Sequence, residues 1–166
     1  MRAGPVHGHP GWTVSRDQRL SRGSERLDRW STAVHEAGHA VIGELLGGQV
    51  RRLWLGSDAR NGMTETVYAR RGRRPIDPIM LACAHLAGHE AEARLCGRPL
   101  NLLPQGDLRA LLAMGVGRGE SLNAIGRTTR QLVRRHEAAI RRVARALVRH
   151  GHLDRRAFLA ALRVQT

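Results

Sequence analysis

Residues 32–46 read Thr-Ala-Val-His-Glu-Ala-Gly-His-Ala-Val-Ile-Gly-Glu-Leu-Leu, and the pair His35 and His39 inside that run constrains this chain more than any other feature. Ala37, Ala40, Val41 and Leu45 recur at helical spacing, so the segment is expected to be an amphipathic helix with one side in a core. Residues four apart on a helix share a face, one turn apart and about 6 Å along the axis. Two imidazoles so placed can point at one ion. Glu36 projects beside that ion, where a carboxylate can hold a water and accept its proton. The pattern asks for zinc, a base and a third ligand from elsewhere. The plainer alternative is an ordinary helix with two satisfied histidines and a solvated glutamate.

With 166 residues the chain has room for one domain with a proper core and not for two ordinary ones. Its formal net charge is +14, and all 28 basic residues are Arg. A surface of that kind suits nucleic acid, an acidic membrane surface or an acidic partner, although a general bias toward Arg produces the same count. Aromatic residues make up only 3% of the chain, which leaves no evident stacking platform for single-stranded nucleic acid. Cys83 and Cys96 fall thirteen residues apart in one expected helix, roughly 20 Å along its axis, too far for a disulfide. Free thiols point to a reducing, cytoplasmic setting. No apolar run approaches the roughly 18 residues of a membrane span, and the N-terminus lacks an apolar leader, so the protein is expected to be soluble.

Along the chain, residues 1–27 are rich in Gly, Pro, Arg and Ser without periodicity and read as a flexible arm ahead of a domain over 28–166. His7 and His9 in the arm lack further donors. The first helix is expected to start between Ser24 and Thr32 and to stop at Gly47-Gly48. Val50–Leu55 and Gly62–Tyr68 alternate around an Asp58-to-Gly62 turn, which predicts two strands in a hairpin. An edge strand there could take an extended peptide by strand addition, with Met63, Thr64, Glu65, Thr66 and Val67 as its shelf; an ordinary sheet edge is the alternative.

Pro75 and Pro78 introduce a helix from Asp77 to Cys96, rich in small residues. His85 and His89 repeat the four-residue spacing but lack a Glu directly after the first, so they read as packing or surface histidines. Glu90 or Glu92 could approach the ion from this helix. Asp107 opens a further helix that Gly115–Gly119 ends, and this glycine cluster has neither the strand nor the Gly-Lys-Ser/Thr of a phosphate loop. Residues 121–164 are expected to be helical, with an apolar stripe opposite Arg134, Arg135, Arg141, Arg142, Arg145 and Arg149, a break at His150-Gly151-His152 and a cap at Asp154. The fold class that follows is mainly α with a small β-sheet, an α+β domain.

In this order the segments resemble the peptidase domain of the FtsH family of membrane-bound, ATP-dependent zinc proteases. Thr32–Gly47 is similar to that family's zinc helix, with Ala-Gly inside the metal motif, and Val50–Tyr68 to the strand pair that follows it. Leu86-Ala-Gly-His-Glu-Ala-Glu-Ala-Arg-Leu-Cys-Gly97 resembles its Gly-Gly-Arg-Ala-Ala-Glu-Glu helix, and Gly106-Asp107-Leu108 its Asn-Asp-Leu segment. The closing helices follow over 130–162, so the likeness spans roughly residues 28–163. It implies zinc held by His35, His39 and Asp107, with Glu92 either orienting a histidine or serving as the rival ligand. Departures are His89 and Glu90 in place of Arg and Ala, and Pro-Gln before Gly106.

No nucleotide-binding motif accompanies the peptidase-like segments. The resemblance therefore implies an endopeptidase acting unaided on peptides or unfolded protein segments, or one that borrows a separate unfoldase. The family's rings imply a homo-oligomer. An Arg-rich module binding nucleic acid or an acidic partner, with a structural or vestigial zinc site, is the alternative from a different class.

Overall fold

The computed structural model describes residues 16–58, 61–68, 77–97, 109, 111–113 and 120–163. Their elements run α1 (Arg16–Leu45), β1 (Gln49–Leu55), β2 (Gly62–Val67), α2 (Pro78–Cys96), α3 (Glu120–Arg135), α4 (Glu137–His150), β3 (His152–Asp154) and α5 (Arg155–Arg163). The fold is α+β: helices predominate around one antiparallel sheet of order β2-β1-β3.

Helix α1 is the central strut. Ala33, Val34, Ala37, Ala40, Val41 and Ile42 are fully buried, and they share one core with Val50 and Leu53 of β1, Ile140, Val143 and Leu147 of α4, and Phe158 of α5. The helix starts at Arg16, ahead of the Ser24–Thr32 range expected from caps, and so takes in residues 16–27 of the expected arm. Apart from Gly23, that stretch is dominated by Arg, Gln, Glu and Leu, which tolerate helix well; one glycine costs only about 1 kcal/mol. Residues 1–15 lie outside the described residues. The expected stop holds: Gly47 adopts φ 98°, and the Gly47 and Gly48 amides donate back to Glu44 and Gly43 carbonyls at 3.1 and 2.8 Å.

The other side of α1 meets α2 at very short range. A β-carbon on Gly38 would lie 2.6 Å from the Ala87 carbonyl oxygen and 2.9 Å from both Gly88 Cα and Ala91 Cβ. Gly38 and the small residues of α2 let the two backbones touch, which larger side chains would prevent. Asp77 caps α2 by accepting from the Ile79 amide at 2.8 Å, and Gly97 closes it in the left-handed conformation. Cys83 and Cys96 both sit on this helix, and Cys83 is buried.

The hairpin forms as its turn residues require. Asp58 accepts from the Asn61 amide at 3.1 Å, and β1 pairs β2 from Leu55 opposite Gly62 to Gln49 opposite Val67, with an irregularity between Val50 and Arg52. The third strand is not legible in the sequence. Leu153 pairs with Leu53 and is buried, inside a strand only three residues long. A segment that short carries no periodicity, and the glycine before it reads as a helix end, which it also is: Gly151 caps α4 at φ 75°. Asp154 then caps α5 through the Ala157 amide at 2.7 Å, as expected.

The closing helical stretch also breaks at His136, which separates α3 from α4. Glu44 ties the end of α1 to this half of the molecule. Its carboxylate accepts from the Val50 amide at 2.9 Å and from both terminal nitrogens of Arg155 at 2.9 and 2.8 Å. The expected helix at Asp107 lies largely outside the described residues; Leu111, which belongs to it, is buried against Ala82, Cys83, Leu86 and Ile125. No helix among the described residues is long and apolar enough to cross a membrane.

Glu137 joins α4 to α2. It accepts from Arg94 at 2.7 Å and from Arg141 at 3.0 Å, and these bonds hold its carboxyl below the usual carboxylate range. A depressed carboxyl adds stability above its unfolded pKa of about 4.3, and that stability is lost as pH falls through the folded value. Glu137→Gln should therefore lower the urea midpoint by more at pH 7 than at pH 3. An equal deficit at both pH values would show that its ion pairs are not the cause.

Candidate metal centre and cleft

The crossing of α1 and α2 brings the two histidines of α1 against α2. His35 Nδ1 lies 2.9 Å from Glu92 Oε2, and His39 Nδ1 lies 2.8 Å from the Ala84 carbonyl oxygen. A carbonyl or a carboxylate can only accept, so both Nδ1 atoms carry the proton and donate. In that tautomer Nε2 is the acceptor nitrogen of each ring. The two Nε2 atoms face each other at 2.9 Å. Two lone pairs at that distance repel unless a proton or a metal ion lies between them, and the separation is near the roughly 3.3 Å expected for two nitrogens on one tetrahedral zinc at about 2.0–2.1 Å. The donor chemistry fits a metal.

Each ring is held in turn. Ser31, one turn before His35 on α1, donates to Glu92 Oε1 at 2.6 Å, so Glu92 is clamped between the hydroxyl and the imidazole. Gly88 gives His39 its room: a β-carbon there would come 2.5 Å from His39 Nε2 and 2.8 Å from the His35 carbonyl oxygen.

Glu36 is 93% shielded from solvent, being only 7% exposed. Thr64 on β2 lies 2.7 Å from its Oε2 and 3.0 Å from its carbonyl oxygen, and the single hydroxyl proton is shared between these acceptors. Gly62 leaves the other carboxylate oxygen uncovered, since a β-carbon there would sit 3.0 Å from Oε1.

The carboxylate and both imidazoles open into a cleft of about 370 Å³. Met63, Thr64 and Thr66 of the expected shelf line it, whereas Glu65 and Val67 are not among its lining residues; Glu65 instead pairs with Arg52 at 2.6 Å. Among the described residues strand β2 is an edge of the sheet, as a shelf requires.

Tyr68 and His85 also line the cleft. Burial pushes the Tyr68 hydroxyl above its ordinary range, so it remains a proton-bearing donor at neutral pH. His85, expected as a packing or surface residue, is half-buried on the cleft wall, where its position on α2 next to Ala84, the partner of His39, brings it. Ala84 itself acts through a backbone oxygen, for which no residue pattern exists. Ser31 had a legible signal, because 31, 35 and 39 share one helical face.

Asp107, the third ligand that the resemblance implies, lies outside the described residues. Among the described residues His35, His89 and Glu92 each offer a ligand atom, all within 4.8 Å of one another. That grouping is an alternative to the His35–His39 pair: both Glu92 oxygens are already engaged by His35 and Ser31, whereas the two Nε2 atoms face each other at 2.9 Å. Cys83 offers no rival nucleophile, since it is buried and its thiol is pushed up by that burial. Neither a known protein family nor a curated relative matches the chain.

Gly88→Ala tests the fit of the rings. The variant should keep its helical circular dichroism and lose at least about tenfold in affinity for added zinc, the range typical of disturbed ligand orientation. Unchanged affinity would mean that His39 is not held where the metal needs it.

Proposed function

We propose that the cleft is the active site of a zinc-dependent endopeptidase of the FtsH peptidase-domain type, acting on peptides and already flexible protein segments. The observation that carries this reading is the pair of Nε2 atoms 2.9 Å apart with both Nδ1 protons directed away, and a buried carboxylate alongside. His35 and His39 would hold the zinc, and by resemblance Asp107 would complete the set. Glu92 orients His35 through Nδ1, and the Ala84 carbonyl does the same for His39. When bound, zinc supplies Lewis acidity, polarising the scissile carbonyl and lowering the pKa of a water toward about 7.

Glu36 accepts the proton of the attacking water and returns it to the leaving amine. Thr64 fixes one carboxylate oxygen, leaving the other to face the water. The unpaired side of β2 supports an extended substrate by main-chain hydrogen bonds, with Met63 and Thr66 beside its side chains. Tyr68 and His85 stand on the walls as donors to substrate carbonyls. A strand-like substrate suits peptides and unfolded segments, because a folded chain has its backbone groups already paired. For folded targets a separate unfoldase would have to deliver the segment.

Purified protein should contain about one zinc per chain. Glu36→Gln should retain that zinc while hydrolysis of an unfolded protein falls by about a thousandfold, within the range for loss of general-base catalysis. Hydrolysis retained in that variant would refute the mechanism. Asp107→Asn should weaken zinc binding more than Glu92→Gln does, and the reverse order would make Glu92 the ligand.

A further inference from the structure

Away from the cleft, two adjoining cavities of about 590 and 300 Å³ run along the seam between α2 and α3 and share Glu90 and Arg130. Arg127, Arg130 and Arg134 of α3 and Arg94 of α2 line the larger one. Spacings of three and four residues stack the three α3 guanidiniums on one helix face, over about 10 Å from first to last. That span equals about three residues of extended chain.

The charges here are unevenly matched. Glu90 is buried and contacts one nitrogen of Arg130 at 3.1 Å, while Arg94 is taken by Glu137. Among the described residues Arg127 and Arg134 have no carboxylate partner, and both are exposed. Burial pushes the Glu90 carboxyl up and Arg130 draws it back, so the floor of the groove already depends on a guanidinium for its charge balance. The groove presents a surplus of positive charge with most Arg130 donors unspent.

We propose that this groove binds an acidic polypeptide segment in extended form, its carboxylates seated on Arg127, Arg130 and Arg134. Arg forks match carboxylates with two parallel hydrogen bonds. Gln131 and Asn123 supply amides for main-chain groups, and Leu86 and Val133 supply apolar wall. A nucleic acid fits less well. The buried carboxylate of Glu90 would oppose a continuous run of phosphates, and no Phe, Tyr or Trp lines either cavity, so His89 is the one ring there on which a base could stack. This binding site is independent of the peptidase reading and would stand if Glu36 proved to have no catalytic role.

The test is fluorescence anisotropy of a labelled peptide alternating Glu and Ser, with the full-length chain at about 50 mM salt. The peptide should bind. The double variant Arg127→Ala/Arg134→Ala should lose about tenfold in affinity, and Arg145→Ala/Arg149→Ala, which removes equal charge from exposed positions outside the groove, should change it by less than about twofold. All four side chains are exposed, so folding is not at risk, and the urea midpoints of both variants check it. No binding, or equal losses in the two double variants, would overturn the proposal. Tighter binding of a single-stranded DNA of equal charge, lost in the Arg127/Arg134 variant, would overturn it in favour of nucleic acid.

Discussion

The close crossing of α1 and α2 is the constraint on which the rest depends. Gly38 and Gly88 remove the side chains that would hold the helices apart: a β-carbon on the first would strike the Ala87 carbonyl at 2.6 Å, and one on the second would strike the His39 ring at 2.5 Å. Only at that separation can a backbone carbonyl and a glutamate of α2 reach the Nδ1 atoms of two histidines on α1. The same contact that fills the core therefore turns both Nδ1 atoms toward acceptors on α2. Glycine inside a helix costs about 1 kcal/mol in propensity, and here that cost is offset by packing and by the fixed histidines.

The sheet makes the second half of the site. Strand β1 is pinned on both sides, by β2 and by β3, and its Val50 is held through Glu44 and Arg155. This leaves β2 as an edge whose Thr64 grips Glu36. Arginine serves structure as well as surface charge: Arg155 clamps β1, and Arg142 donates to the carbonyls of Ala161 and Leu162 near the end of α5. A high Arg count alone therefore says little about a polyanion. The seam between α2 and α3 is different because two of its guanidiniums have no such structural task.

Much of this was legible in the residues. The helical period around His35 and His39, the hairpin at Asp58–Gly62, the caps of α2 and the place of Glu92 beside a histidine all follow from spacing, turn chemistry or resemblance. What escaped has physical reasons. Strand β3 is too short to show a period, and the early part of α1 is rich in helix formers but carries no apolar period to mark it. The carbonyl of Ala84 belongs to the backbone and has no code in side chains. The place of His85 on the cleft wall follows from the helix crossing, which spacing along one helix does not give.

The central claim is that both rings turn acceptor Nε2 atoms toward one shared cation. Nitrogen NMR of the histidine side chains in metal-free protein, above the pH at which imidazole takes a second proton, tests it most directly. The geometry predicts protons on Nδ1 of His35 and His39, with both Nε2 resonances moving together when zinc is added. A proton on Nε2 of either ring, or zinc binding that leaves both Nε2 resonances in place, would contradict it.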